Sequence, residues 1–131
     1  QGYINGPNDL QICSGRQKSA IFGVNVDSGE LRFIMANHED WCDEFKQYLL
    51  TPVDDDGVPL YDLTSPGGID AADKNFWTWG QHNFVEIPND EAGIMEFMVF
   101  DNGNYRSLED AKSLVPADSF TRGVQFKINR T

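Results

Sequence analysis

Histidine and cysteine are both scarce in this 131-residue chain, with only His38, His82, Cys13 and Cys42 to count. So few imidazoles and thiols leave no paired-cysteine zinc pattern. Basic residues are outnumbered, ten against twenty-one acidic ones, for a net charge of −11. Nucleic-acid affinity rests on many Lys and Arg neutralising phosphates, so that balance argues against a polyanion partner. It equally disfavours adhesion to an anionic bilayer. No apolar run approaches the ~18 residues that would span a membrane, and no signal-peptide pattern is visible. A Gly-rich phosphate loop and a serine nucleophile elbow are also missing. Asp54-Asp55-Asp56-Gly57 is acidic enough to suggest calcium. Aligning Gly57 with an EF-hand loop glycine puts Pro52 and Leu63 at ligand positions, so the reading is a solvated acidic turn.

What remains is a globular composition, 40% hydrophobic and 12% aromatic, in a chain long enough for one domain with a core. It opens on Gln1 rather than Met, and the expectation is a start that was processed, trimmed or cut from something longer. Cys13 and Cys42 stand far enough apart that a bridge would contribute roughly 3 kcal/mol if geometry allowed it. Two separate thiols are an equally open reading.

Most of the sequence reads as short strands punctuated by turn residues. Strands are expected at 10–13, 19–26 and 31–35, the last two joined by Asp27-Ser28-Gly29-Glu30. A helix follows, capped by Asp40, with Trp41, Phe45, Tyr48 and Leu49 on one face and Pro52 as its stop. Residues 53–75, rich in Asp, Gly and Pro, read as a long irregular excursion. Strands resume at 82–87, 94–100 and 123–128, the last alternating Val124, Phe126 and Ile128 with polar residues. Ser107 can cap a second short helix running through Leu114. The fold class is therefore all-β with two short helices, and the strand pairs suit a sandwich, barrel or propeller. Four strands make one propeller blade, so six strands amount to roughly one and a half to two blades.

Trp77-Thr78-Trp79-Gly80-Gln81-His82 and Asp101-Asn102-Gly103-Asn104-Tyr105-Arg106 hold the chemistry. An imidazole and a guanidinium on neighbouring strands can grip a tetrahedral oxyanion: arginine offers a planar fork to sulfate or phosphate oxygens, and histidine donates, carries a proton or attacks. Asp101-Asn102-Gly103 forms a tight turn that would aim Arg106. His38, beside Glu39 and Asp40, reads as a cap or loop residue.

These blocks resemble the bacterial arylsulfate sulfotransferase family. The similarity runs through Ser14-Gly15-Arg16-Gln17-Lys18-Ser19-Ala20-Ile21, Asp27-Ser28-Gly29-Glu30-Leu31, His38-Glu39-Asp40-Trp41 and Tyr48-Leu49-Leu50-Thr51-Pro52-Val53. It continues through Trp79-Gly80-Gln81-His82, Ile87-Pro88-Asn89 and Val99 to Arg106, then from Ser119 to Ile128, covering nearly the whole chain. The resemblance implies a partial β-propeller, about two blades of a six-bladed wheel, incomplete at both ends and completed by the remaining blades or a homo-oligomer partner. It implies transfer of a sulfuryl group from a phenolic sulfate ester to a phenol through a sulfohistidine, with no cofactor and no metal, in a periplasmic or extracellular setting. His82 and Arg106 match the catalytic positions, and Arg16, Trp79 and Asn102 are the expected substrate-binding residues. The family's nucleophilic histidine lies nearer the C-terminus and a further active-site histidine lies upstream; neither has a counterpart here, so the segment alone should be inactive. Where the family has Arg-His-Gln this chain has Arg16-Gln17-Lys18, and the segment between Ile87 and Val99 is longer. The alternative is a non-catalytic β-propeller binding or structural module.

Overall fold

The computed structural model describes residues 3–6, 10–60, 76–103 and 120–129. Two antiparallel sheets account for nearly all of the regular structure. The first holds β1 (Tyr3–Gly6), β2 (Leu10–Gly15), β3 (Ala20–Asn25) and β4 (Leu31–Met35), each strand paired with the next in sequence. The second holds β5 (Phe84–Ile87), β6 (Ile94–Asp101) and β7 (Arg122–Asn129) in the same simple order. Among the described residues, β3 and β4 are sequence neighbours joined by a short turn, and the turn chemistry supplies it. Asn25 organises the β3–β4 connection: its side-chain oxygen accepts from the backbone N–H of Asp27 at 3.1 Å and of Ser28 at 2.8 Å.

The core lies between the sheets. Leu10, Ile12, Ile21, Phe33 and Met35 from the first meet Phe84, Met95, Phe97, Val99, Phe126 and Ile128 from the second, with Trp77 among them. Along β6, Met95, Phe97 and Val99 point inward while Met98 and Phe100 stay exposed, the alternation a pleated strand requires. The first sheet is apolar on its other face too. There Ala20, Ile34 and Ala36 pack with Phe22, Leu31, Trp41, Tyr48 and Leu49.

Gly23 is where β3 meets β4 most tightly. A Cβ there would stand 2.2 Å from Cε1 of Phe33, so the Phe33 ring lies directly over the glycine backbone. The β3–β4 register shifts between Gly23 and Val24, a bulge at the point of closest approach.

The structure departs from the sequence reading at three points, one a correction and two additions. The helix expected from Asp40 to Leu50 is a single turn, α1 (Asp43–Lys46), with Cys42 as its N-cap residue and Asp40 at a positive φ of 60° outside it. The reason lies just downstream. The N–H of Ile34 donates to Tyr48 O at 2.7 Å and that of Leu50 to Ile34 O at 2.9 Å, so residues 48–50 pair with the open edge of β4 instead of continuing a helix. The apolar spacing was genuine, but Trp41, Tyr48 and Leu49 reach the same hydrophobic cluster from outside α1. Second, Tyr3–Gly6 adds a strand, paired in register with Leu10–Cys13. Third, Arg16–Lys18 forms a short 3-10 turn. The second helix, expected from Ser107 through Leu114, lies outside the described residues, as do residues 61–75 of the excursion.

Cys13 sits half-buried in β2 and Cys42 is exposed, and both are free thiols. Burial pushes the Cys13 thiol pKa up. The acidic turn at 54–57 closes on itself. Asp54 Oδ1 accepts from the N–H groups of Asp56 and Val58 at 3.0 and 2.9 Å, an Asx turn bound by its own backbone. Among the described residues no group of three or more His, Cys, Asp or Glu is arranged to hold a metal ion, and no helix is long and apolar enough to cross a membrane.

Candidate active site

The segment from Trp77 to His82 is the piece of backbone that the two sheets share. From the first sheet's side, Ser19 Oγ accepts from Gly80 N at 2.8 Å and Ala20 O accepts from Gln81 Nε2 at 2.9 Å. Gln81 is fully buried, so its amide is committed to structure. From the second sheet's side, Asp101 Oδ1 accepts from Trp79 N at 2.7 Å and from Gly103 N at 2.9 Å. Arg122 Nε donates to Asp101 Oδ2 at 3.0 Å, and Arg122 Nη2 donates to Trp77 O at 2.9 Å. Asp101 has 0% side-chain exposure while Arg122 retains 24%. A fully buried carboxylate is stable here because backbone and guanidinium donors surround it. Gly80 has φ +64°, a conformation that glycine adopts without the Cβ penalty of other residues.

This framework delivers His82. Its N–H donates to Phe100 O at 3.0 Å, and Phe100 N donates to Asn83 O at 2.8 Å, so the β5–β6 ladder continues past the formal end of β5. The imidazole is exposed, and its Nδ1 lies 2.7 Å from Asn102 Nδ2. The same Asn102 nitrogen donates to Gly80 O at 2.5 Å. Among the described residues His82 Nε2 has no hydrogen-bond partner. His38 is different: its Nε2 is 2.8 Å from Leu50 O and its ring lies 5.6 Å from that of Trp77, a structural histidine bridging chain segments.

The expected site residues are therefore placed as follows. His82 and Asn102 are in direct contact. Arg16 is exposed in the 3-10 turn that leads to Ser19, the residue bonded to Gly80, so its element abuts the loop carrying His82. Trp79 is buried and borders a cavity of about 70 Å³ with Lys18, Ser19, Asn37 and Trp41. A larger crevice of about 360 Å³ is bordered by Trp77, together with Met35, Leu50, Phe76, Phe126 and Lys127. An apolar cavity of about 150 Å³ accepts benzene. The Trp77 crevice is thus of aryl size and the Trp79 cavity is not. Arg106 lies outside the described residues.

Asp101 and Arg122 were not legible as site supports. Asp101 reads in sequence as a turn former, and Arg122 as the residue before a strand. The signal is their register: they are cross-strand partners in β6 and β7, a favourable opposite-charge pair once the pairing is known.

A scan against protein-family models matches residues 2–131 to the family described as Arylsulfotransferase (ASST). The chain belongs to that family. A search of curated proteins found no match.

Proposed function

We propose, from membership of the arylsulfotransferase family, that this chain is part of an enzyme moving a sulfuryl group from a phenolic sulfate ester to a phenol acceptor. The family match across residues 2–131 carries the reading. The presentation of His82, exposed on a doubly anchored loop with Nε2 uncommitted among the described residues, supports it.

A sulfate monoester transfers its group with charge spread over peripheral oxygens, by analogy with phosphoryl transfer, so catalysis is mainly positioning and electrostatic stabilisation. In this scheme Arg106 forks two sulfuryl oxygens and His82 donates to a third or to the ester oxygen. Arg16 and the free Oδ1 of Asn102 face substrate, Trp79 backs the site from its buried position, and no cofactor or metal takes part. A histidine nucleophile splits the reaction in two through a sulfohistidine. That nucleophile belongs to another part of the protein, because His38, the one other histidine of this chain, is engaged with Leu50 O. The two sheets would then be about two blades of a six-bladed propeller in a periplasmic or extracellular protein, inactive as an isolated segment. The test is turnover of a chromogenic aryl sulfate with a phenol by the full-length protein. His82→Ala and Arg106→Ala are each expected to lower turnover on the order of 100- to 1000-fold. Near-wild-type rates remove that residue from the site.

The engagement of His38 also favours a second reading, a non-catalytic propeller module that binds an anionic or aromatic ligand. Ligand binding without turnover or a sulfohistidine in the full-length protein would select it.

A further inference from the structure

We infer that Asn102 is a positioning residue that fixes the tautomer of His82, presenting Nε2–H to the substrate and barring His82 from acting as a nucleophile; this rests on the sulfuryl-transfer reading above. The amide orientation is set by the backbone, independently of the ring. Gly80 O can only accept, so the Asn102 atom at 2.5 Å from it is the nitrogen. That nitrogen carries two hydrogens. One points to Gly80 O and the other to His82 Nδ1 at 2.7 Å. Nδ1 is therefore the acceptor, and the single proton of a neutral imidazole sits on Nε2.

Each member of this chain is itself held. Gly80 is fixed by its bond to Ser19 Oγ and by its positive φ. Asn102 is flanked by Asp101 and Gly103, which are bonded to each other through Asp101 Oδ1, and its own carbonyl accepts from Thr121 Oγ1 at 3.4 Å. Asn102 thus spends both amide hydrogens inside the protein, and only Oδ1 is left for a ligand.

The chemical consequence is specific. Attack on sulfur through Nε2 needs a lone pair there, which means the proton on Nδ1. That tautomer would set an N–H against the Asn102 amide hydrogens. With Nε2–H in place, His82 acts as a neutral hydrogen-bond donor, a role that imidazole fills in other enzymes. As the S–O ester bond breaks, its electron pair stays on the phenolic oxygen. Nε2–H stabilises that oxygen, or a sulfuryl oxygen, and the proton remains on the ring.

The experiment is a long-range proton–nitrogen spectrum of the histidine rings in nitrogen-15-labelled full-length protein at alkaline pH, with His82 assigned from its loss in His82→Gln. The expected pattern is a protonated, pyrrole-type Nε2 and an unprotonated, pyridine-type Nδ1. The reverse pattern overturns the inference, even in a protein that transfers sulfuryl groups. Asn102→Ala should give a mixture of the two patterns, and an unchanged spectrum in that variant also overturns it. Asn102→Asp supplies an acceptor and should shift the ring toward Nδ1–H. Its kcat should fall by about as much as on losing the His82 donor, roughly 100-fold or more, with KM changed far less. An Nε2–H tautomer in a protein with no transfer activity leaves the tautomer assignment standing and removes the sulfuryl-transfer reading.

Discussion

Replacing Asp101 with alanine is expected to be the most damaging single change near the site. Its carboxylate has 0% exposure, and the donors it receives include Trp79 N at 2.7 Å, Gly103 N at 2.9 Å and Arg122 Nε at 3.0 Å. Alanine would take this acceptor away from two buried backbone N–H groups and from Arg122 Nε, while Arg122 Nη2 keeps its bond to Trp77 O. Breaking a buried ion pair from one side costs about 3–5 kcal/mol, and each stranded amide adds to the same loss rather than on top of it. A value of about 4 kcal/mol would consume much of a domain's typical stability of roughly 5–15 kcal/mol. Asp101→Asn keeps the oxygen that serves Trp79 and Gly103 but turns an NH2 toward Arg122, so it should cost about 2 kcal/mol. Arg122→Leu should also fall near 2 kcal/mol, because the carboxylate keeps its two backbone donors. Urea unfolding followed by the fluorescence of Trp41, Trp77 and Trp79 gives all three values. The order of damage is the test. Asp101→Ala within about 1 kcal/mol of wild type, or Asp101→Asn worse than Asp101→Ala, would refute the picture of a carboxylate organised mainly by backbone donors.

Gly23→Ala should destabilise by about 1–3 kcal/mol, since its Cβ would stand 2.2 Å from Phe33 Cε1; adding Phe33→Leu should recover part of that in the same urea assay. With a maleimide probe, exposed Cys42 should label well before Cys13, whose thiol is half-buried and held protonated by burial, and equal rates would contradict the placement of β2. Carbon-detected titration should find the Asp43 carboxyl below the ordinary 3.8, because Lys46 hydrogen-bonds to it at 2.6 Å and adds its charge. Since that folded pKa is depressed, the pair steadies α1 above the ordinary carboxylate pKa and lets go as pH falls through the lower folded value; Lys46→Ala should return the midpoint toward 3.8.

Much of the fold was legible because its strands obey local rules. Met95, Phe97 and Val99 alternate with outward residues, and Asp27-Ser28-Gly29-Glu30 turns the chain where its composition says it should. What was hidden depends on partners distant in sequence. β1 is four residues long, too short to show a period, and is defined by its pairing with β2. The helix expected at 40–50 failed because local spacing is blind to the free edge of β4, which takes the backbone of Tyr48 and Leu50. At the site, His82 was readable as a scarce residue with useful chemistry. The partnership with Asn102 was not, because it exists only when β6 and the loop before β5 lie side by side.

The bonds from Gly80 to Ser19 and from Gln81 to Ala20 each span 61 residues. The first sheet, by contrast, is assembled from strands that follow one another closely and can zip up from short-range encounters. Closing so long a span is entropically slow and becomes worthwhile only when both sheets are already in place. His82 should therefore acquire its final surroundings among the last events of folding, and refolding kinetics should register hairpin formation before the imidazole environment matures.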